Sequence, residues 1–244
     1  NSYLKNEKSL SLLLKSEVYK IEKKLPELTQ VYEEMIKFKK TESLGYRGLM
    51  EQNLNSQDYH HAYIYGEKLF SLNPQIDKLY ETLIYIAAKT KNWNQLIVIS
   101  DKAYTKKIIN KDILLENKSV GFYEIAKVKS KADLKEAIKN ITKAIDMKKY
   151  FPPYLDFHLQ LVSETKNILL LKKLIKKYWS LNPIPAVRLI LIKIIINNKI
   201  DNMDFIYQII KYNKQDDESK KLLIYFAIKN KKWKVARESI KGLI

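Results

Sequence analysis

The segment Tyr59-His60-His61-Ala62-Tyr63-Ile64-Tyr65-Gly66-Glu67-Lys68-Leu69-Phe70-Ser71-Leu72-Asn73-Pro74 decides the fold. Ala62 and Leu69 fall on one face at helical spacing. Pro74 ends the run, because proline removes a donor and clashes with the preceding turn. The same pattern stands 34 residues away on either side, as Leu25 with Leu28 and as Trp93 with Leu96. Counting Tyr59 as position 17 of a 34-residue unit puts Tyr46 at position 4, Leu49 at 7, Ala62 at 20, Leu69 at 27 and Pro74 at 32. Tyr80, Leu83, Leu96 and Ala103 repeat positions 4, 7, 20 and 27. A longer loop around Ile108-Ile109-Asn110-Lys111 breaks the phase, and Leu134, Ala137 and Ala144 restart it. Ile168 stands another 34 residues on, in a unit that ends at Pro183. Ser71-Leu72-Asn73-Pro74 returns as Ser180-Leu181-Asn182-Pro183, each copy following an aromatic residue, Phe70 or Trp179. A last unit centres on Trp233, Ala236 and Leu243.

This is the period of the tetratricopeptide repeat, a helix–turn–helix unit whose copies stack on one another. The expected fold is all-α, a right-handed superhelical solenoid of about seven helix pairs. The pairs fall at roughly 5–38, 42–72, 76–106, 112–148, 153–181, 184–213 and 217–243. The repeats over 5–106 match best and those over 112–244 are diverged, the pair at 184–213 most of all. We read residues 1–244 as one domain. Asp58, Asp133 and Asp216 sit where helix N-caps are wanted. Pro74, Pro152-Pro153 and Pro183 punctuate the pair boundaries. The end at Gly242-Leu243-Ile244 has no evident capping helix, which leads us to expect a further segment or a partner there.

Composition narrows the function classes. With 46% hydrophobic residues the chain can bury a core, and it has no cysteine, so it holds no disulfide or thiolate chemistry. The net charge is +18, from 45 basic and 27 acidic residues, yet only Arg47, Arg188 and Arg237 are arginines. Specific readers of phosphates and bases favour the arginine fork, so the lysine excess argues against nucleic acid. The longest apolar stretch, Leu189 to Ile196, is broken by Lys193 and is far short of the roughly 20 residues a bilayer needs.

No enzyme pattern emerges: there is no glycine-rich nucleotide loop, no nucleophile elbow and no metal-ligand spacing. His60, His61 and His158 read as surface or interface residues rather than catalytic groups or haem ligands. The expectation is a non-enzymatic protein with no metal and no cofactor. Lys172, Lys173, Lys176 and Lys177 form a stripe at helical spacing, which suits either solvent or an anionic membrane surface. In repeats of this kind the first helix of each pair lines the concave wall. Its wall positions hold Arg47, Glu51, Glu81, Tyr85, Phe122, Asp156, Gln160, Arg188, Lys221 and Tyr225. Aromatics supply buried area and charges supply alignment, so this mixture suits a protein or peptide partner in the groove.

Three further stretches carry a family resemblance: Leu10-Ser11-Leu12-Leu13-Leu14-Lys15-Ser16-Glu17, then Tyr32-Glu33-Glu34-Met35, then Leu44-Gly45-Tyr46-Arg47-Gly48-Leu49. Together with Tyr63 to Pro74 and Trp93, they resemble the HemY family, proteobacterial membrane-anchored tetratricopeptide proteins. The resemblance is specific over about residues 10–105 and looser through Tyr154-Leu155, Trp179 and Trp233. It implies an anchor before residue 1, a repeat domain facing the cytoplasm at the inner membrane, and a role tied loosely to protohaem biosynthesis without catalytic activity. The leading expectation is therefore an inner-membrane protein-interaction scaffold. The alternatives are a haem or porphyrin carrier using Tyr85, Phe122 and Tyr225, and a tetratricopeptide adaptor unrelated to haem. RNA binding ranks last, and self-association is a further expectation.

Overall fold

The structure, a computed structural model, describes residues 7–243. The first two residues of the expected pair at 5–38, and Ile244, lie outside them. The described chain is helical, with fourteen α-helices and no strand: α1 (Lys8–Ile21), α2 (Leu25–Met35), α3 (Glu42–Asn55), α4 (Tyr59–Leu72), α5 (Leu79–Lys89), α6 (Trp93–Thr105), α7 (Lys111–Lys129), α8 (Leu134–Met147), α9 (Pro152–Glu164), α10 (Ile168–Leu181), α11 (Pro185–Asn197), α12 (Met203–Ile210), α13 (Asp217–Lys229) and α14 (Trp233–Lys241). All seven expected pairs are present, with boundaries within a few residues of those read from the period. The helices are gathered into two compact units that meet in sequence at Lys118 and Ser119.

The turn inside each pair explains the regular spacing. Lys23, Gln57, Lys91, Lys166, Lys199 and Lys231 each take a left-handed backbone, with φ between 54° and 60°, directly after the first helix of a pair. That conformation reverses the chain while backbone donors reach back to the last turn: Asp58 N to Asn53 O at 2.8 Å, Asn92 N to Ala87 O at 2.8 Å, Lys232 N to Ala227 O at 2.7 Å. Glycine is the usual occupant, because a side chain is strained there. The next helix is then capped. Asp58, Asp133 and Asp216 accept from the backbone N–H groups of His61, Glu136 and Glu218 respectively, as the sequence suggests. Asn92, Asn167 and Asn202 do the same for α6, α10 and α12.

In the first unit each helix from α1 to α6 packs against the next. The core runs from Leu12, Leu28, Tyr32, Met35 and Leu49 to a larger cluster around Phe70, Leu83, Ile86 and Ile99. Gly45 and Gly48 let α3 lie directly on α2. A Cβ at Gly45 would stand 2.8 Å from the Tyr32 carbonyl oxygen, and one at Gly48 would run into the Tyr32 ring.

In the second unit, alternate helices also touch: α9 with α11, α11 with α13, and α10 with α12. Trp179 is fully buried among Ile175, Ile206, Leu222 and their neighbours, and its indole Nε1 donates to Ser219 Oγ at 3.0 Å. Burying a side chain of that size stabilises the fold by about 2–3 kcal/mol. The diverged sixth pair forms after all. Its turn is longer, because Ile200 is drawn into the core, and α12 is cut to 8 residues.

Candidate functional site

The first helix of each pair carries the sequence-derived candidates. In the first unit these are Arg47 and Glu51 on α3, and Glu81 and Tyr85 on α5. Arg47 Nε donates to Glu51 Oε1 at 2.8 Å, one helical turn on, and both side chains are half open to solvent. The pair forms a charged ridge between two grooves. One, of about 220 Å³, is walled on its other side by Leu13, Glu17 and Lys20 of α1. The second, of about 340 Å³, is bounded by Asp77, Lys78 and Thr82 at the start of α5. Glu81 and Tyr85 are exposed, and the Tyr85 ring meets Tyr59 edge-on with centroids 6.4 Å apart. Tyr85 is thus an open aromatic face one helix away from the charged ridge.

In the second unit α9, α11 and α13 are joined across their faces by charge. Arg188 Nε lies 2.8 Å from Glu218 Oε2, and Lys221 Nζ donates to Glu218 Oε1 at 2.7 Å. Lys193 Nζ approaches Asp156 Oδ2 at 3.9 Å. Glu218 is the most buried member, held at the first turn of α13, where the helix N-terminus favours negative charge. Three cations meet two carboxylates here, which leaves this cluster with an excess of one positive charge. Asp156 Oδ1 is buried without a hydrogen-bond partner. Gln160 is half-buried one turn beyond Asp156, and Tyr225 stands exposed one turn beyond Lys221.

Phe122 behaves differently. It is half-buried against Ala126, Ile141 and Ala144, with Lys143 Nζ 4.9 Å above its ring. The turn between α7 and α8 explains this. It lacks the left-handed residue of the other turns and is one residue longer, so α7 is shifted by one position and Phe122 turns toward packing. Sequence spacing also missed Glu218 and Lys193. Both lie one helix away from a candidate in space, and only the crossing of helices brings them together.

The three histidines have different settings. His61 Nδ1 lies 2.7 Å from Asp58 Oδ2 beside the α4 cap, and His60 is exposed. His158 is buried, with Nδ1 2.6 Å from the Tyr178 hydroxyl. Burial, reinforced by Lys177, pulls its pKa down to about 4. Among the described residues no cluster of three or more His, Asp or Glu side chains is arranged to hold a metal ion. No described helix is long and apolar enough to cross a membrane.

No family model and no curated protein matches the chain. Among solved structures it is similar to a tetratricopeptide repeat protein from Parabacteroides merdae, at 15% identity and a TM-score of 0.35, over 88% of this chain and 79% of that one. It is also similar to the MamA protein, at 9% identity and a TM-score of 0.31, over 82% of this chain and 87% of that one. The repeat reading rests on the chain's own period, turns and helix pairing.

Proposed function

We propose that this chain is a docking protein whose first-helix faces take protein partners. The observation that carries the reading is the charge network of α9, α11 and α13, in which Glu218 is held between Arg188 and Lys221 and leaves cations and Tyr225 at the surface. A face preset in this way offers fixed charge for alignment and an aromatic anchor for burial, the division of labour found at protein interfaces. The first unit repeats the theme with Arg47, Glu51 and Tyr85. The resemblance of residues 44–49 to HemY makes enzymes of protohaem biosynthesis at the inner membrane the first partners to seek.

The deciding experiment is crosslinking of the purified chain in native membranes, followed by mass spectrometry of the crosslinked peptides. Wild type is compared with Arg47→Glu/Tyr85→Ala and with Lys221→Glu/Tyr225→Ala. Crosslinks from the first-helix faces to one set of proteins, lost in a variant that keeps its helical spectrum, support docking. Partner capture unchanged in both variants overturns it.

A second reading has its own observation. Among the described residues Lys172, Lys173, Lys176 and Lys177 on α10 have no carboxylate partner, and the neighbouring Leu169 is 84% exposed. Lys172 lies over the Phe205 ring at 5.2 Å, and Lys176 reaches Gln208 at 3.5 Å. Unpaired lysines beside an exposed leucine suit an anionic lipid surface, worth about 1 kcal/mol per lysine. Binding to phosphatidylserine vesicles and not to neutral ones, weakened by Lys173→Glu/Lys177→Glu, is the expected result.

A further inference from the structure

The left-handed backbone positions have an unusual set of occupants. Among the described residues nine have a φ between 54° and 64°, and seven of these are lysine. Lysine is only about one residue in six of the chain. Glycine and asparagine, which tolerate this conformation best, stand at none of the nine. General richness in lysine does not explain its collection at the positions where its backbone is strained. Strain that is kept where a relaxed residue would serve points to a use for the side chain.

Three of these lysines form a row in the second unit. Lys166, Lys199 and Lys231 each follow the first helix of a pair, α9, α11 and α13, and those helices lie side by side. Their turns are joined to one another. Ser163 Oγ at the end of α9 donates to Asn198 Oδ1 at 2.7 Å, and Asn230 Nδ2 at the end of α13 donates to the Asp201 carbonyl oxygen at 2.9 Å. Asn198 and Asn230 also donate to the carbonyl oxygens of Ile194 and Phe226 in their own helices, which anchors both turns. The three lysines are exposed, as is Lys232 beside the last. Glu164 and Asp201 are the carboxylates of these turns, and Asp201 accepts from Lys229 Nζ. The edge is therefore a row of ammonium groups, one per turn, on backbones tied to one another.

We propose that this edge of the second unit docks an extended acidic segment of a partner protein, with a carboxylate at every third residue. Neighbouring helices pack about 8–10 Å apart, which sets the spacing of the turns. An extended chain advances about 3.3–3.6 Å per residue, so its third residue arrives about 10 Å along, over the next lysine. A lipid surface needs no such register, since its headgroups move to meet any arrangement of charge. Nucleic acid fits less well, because the side chains between the lysines, Thr165, Asn167 and Asn202, offer no ring on which a base could stack. The surface is separate from the first-helix faces, so its test does not depend on theirs.

The test uses two labelled synthetic peptides of about ten residues, long enough when extended to pass three turns. One carries glutamate at every third position among serine and threonine. The other has the same composition with its glutamates in one block. Fluorescence anisotropy against the full chain at low salt is expected to show the spaced peptide binding about five-fold more tightly than the block, and both weakening as salt screens the charges. Lys166→Gly/Lys199→Gly/Lys231→Gly is expected to bind the spaced peptide about ten-fold more weakly, yet to melt no lower than wild type, because glycine is relaxed at these positions. Lys166→Gln/Lys199→Gln/Lys231→Gln, which keeps the strain and removes the charge, is expected to show the same loss of binding. Gln57 already occupies the equivalent turn of the first unit. Equal affinity for the two peptides overturns the proposal, because charge then acts without register. So does a spaced peptide that fails to bind, a variant that binds it as tightly as wild type, or tighter binding of an oligothymidylate of the same charge.

Discussion

The Tyr32 ring fills the volume that a Cβ on Gly48 would occupy, so that α2 and α3 touch through a ring and a bare backbone. Tyr32 is itself buried, with Leu28, Met35 and Leu49 around it. Gly48→Ala therefore overpacks the joint. A loss of about 1–3 kcal/mol in urea unfolding is expected, even though alanine is the better helix former. Tyr32→Leu on its own is also expected to destabilise, but combined with Gly48→Ala it should cost less than the sum, because the methyl group then has space. Strict additivity in this double-mutant cycle removes the explanation.

Glu218 lies between Arg188 and Lys221 and is mostly shielded from water, as is Arg188. Arg188→Met removes its best-buried partner and is expected to cost about 1–3 kcal/mol, since a shielded charge is then left poorly matched. Lys221→Ala removes an exposed partner and is expected to cost about 0.5 kcal/mol. Arg188→Met combined with Glu218→Gln should recover part of the loss. Chemical denaturation of the four proteins checks the ordering.

His158 gives the fold a defined weakness in acid. Its pKa is lowered from the ordinary 6.5 to about 4, chiefly by burial, with Lys177 adding repulsion and Asp146 partly opposing it. The unfolded chain thus binds a proton at this site that the folded chain refuses between those two values. Stability from this site is complete above pH 6.5 and is lost as pH falls toward 4, amounting to about 3 kcal/mol. Unfolding free energies at pH 7 and pH 4.5 should differ by less in His158→Gln than in the wild type. Equal differences in the two proteins mean that the imidazole does not carry the effect.

The left-handed lysines are sites where the protein is easily stabilised. Lys91 and Lys231 each hold a strained backbone and are exposed. Glycine relieves the strain but costs entropy in the unfolded chain, which leaves a net gain of about 0.5–1 kcal/mol per site. Lys91→Gly and Lys231→Gly lie in different units and should add. A thermal melt of the double variant is expected to rise by the sum of the single shifts. A fall in either single variant contradicts the strain argument.

Much of this molecule is written locally. The period through Leu25, Tyr59 and Trp93, the capping aspartates and the boundary prolines each act within a few residues, through backbone hydrogen bonding and helix geometry. They therefore announce all seven pairs, including the diverged one at 184–213. The placing of Arg47 and Glu51 on one face of α3 follows from their spacing alone, because residues four apart on a helix are neighbours wherever the helix lies. Phe122 was not, because one added residue in the turn after α7 rotates that helix and moves the ring from an expected wall position into packing.

The sequence by itself determined the helix pairs, their turns, the apolar faces they bury and the absence of cysteine chemistry, since these depend on residue type and on spacing within a single turn or helix. Only the tertiary structure decided that Glu218 joins Arg188, that Lys193 reaches toward Asp156, and that His158 is sealed against Tyr178. Those relationships depend on how far one helix slides and turns against another, and that is set by the summed packing of many side chains, which no single stretch of sequence contains.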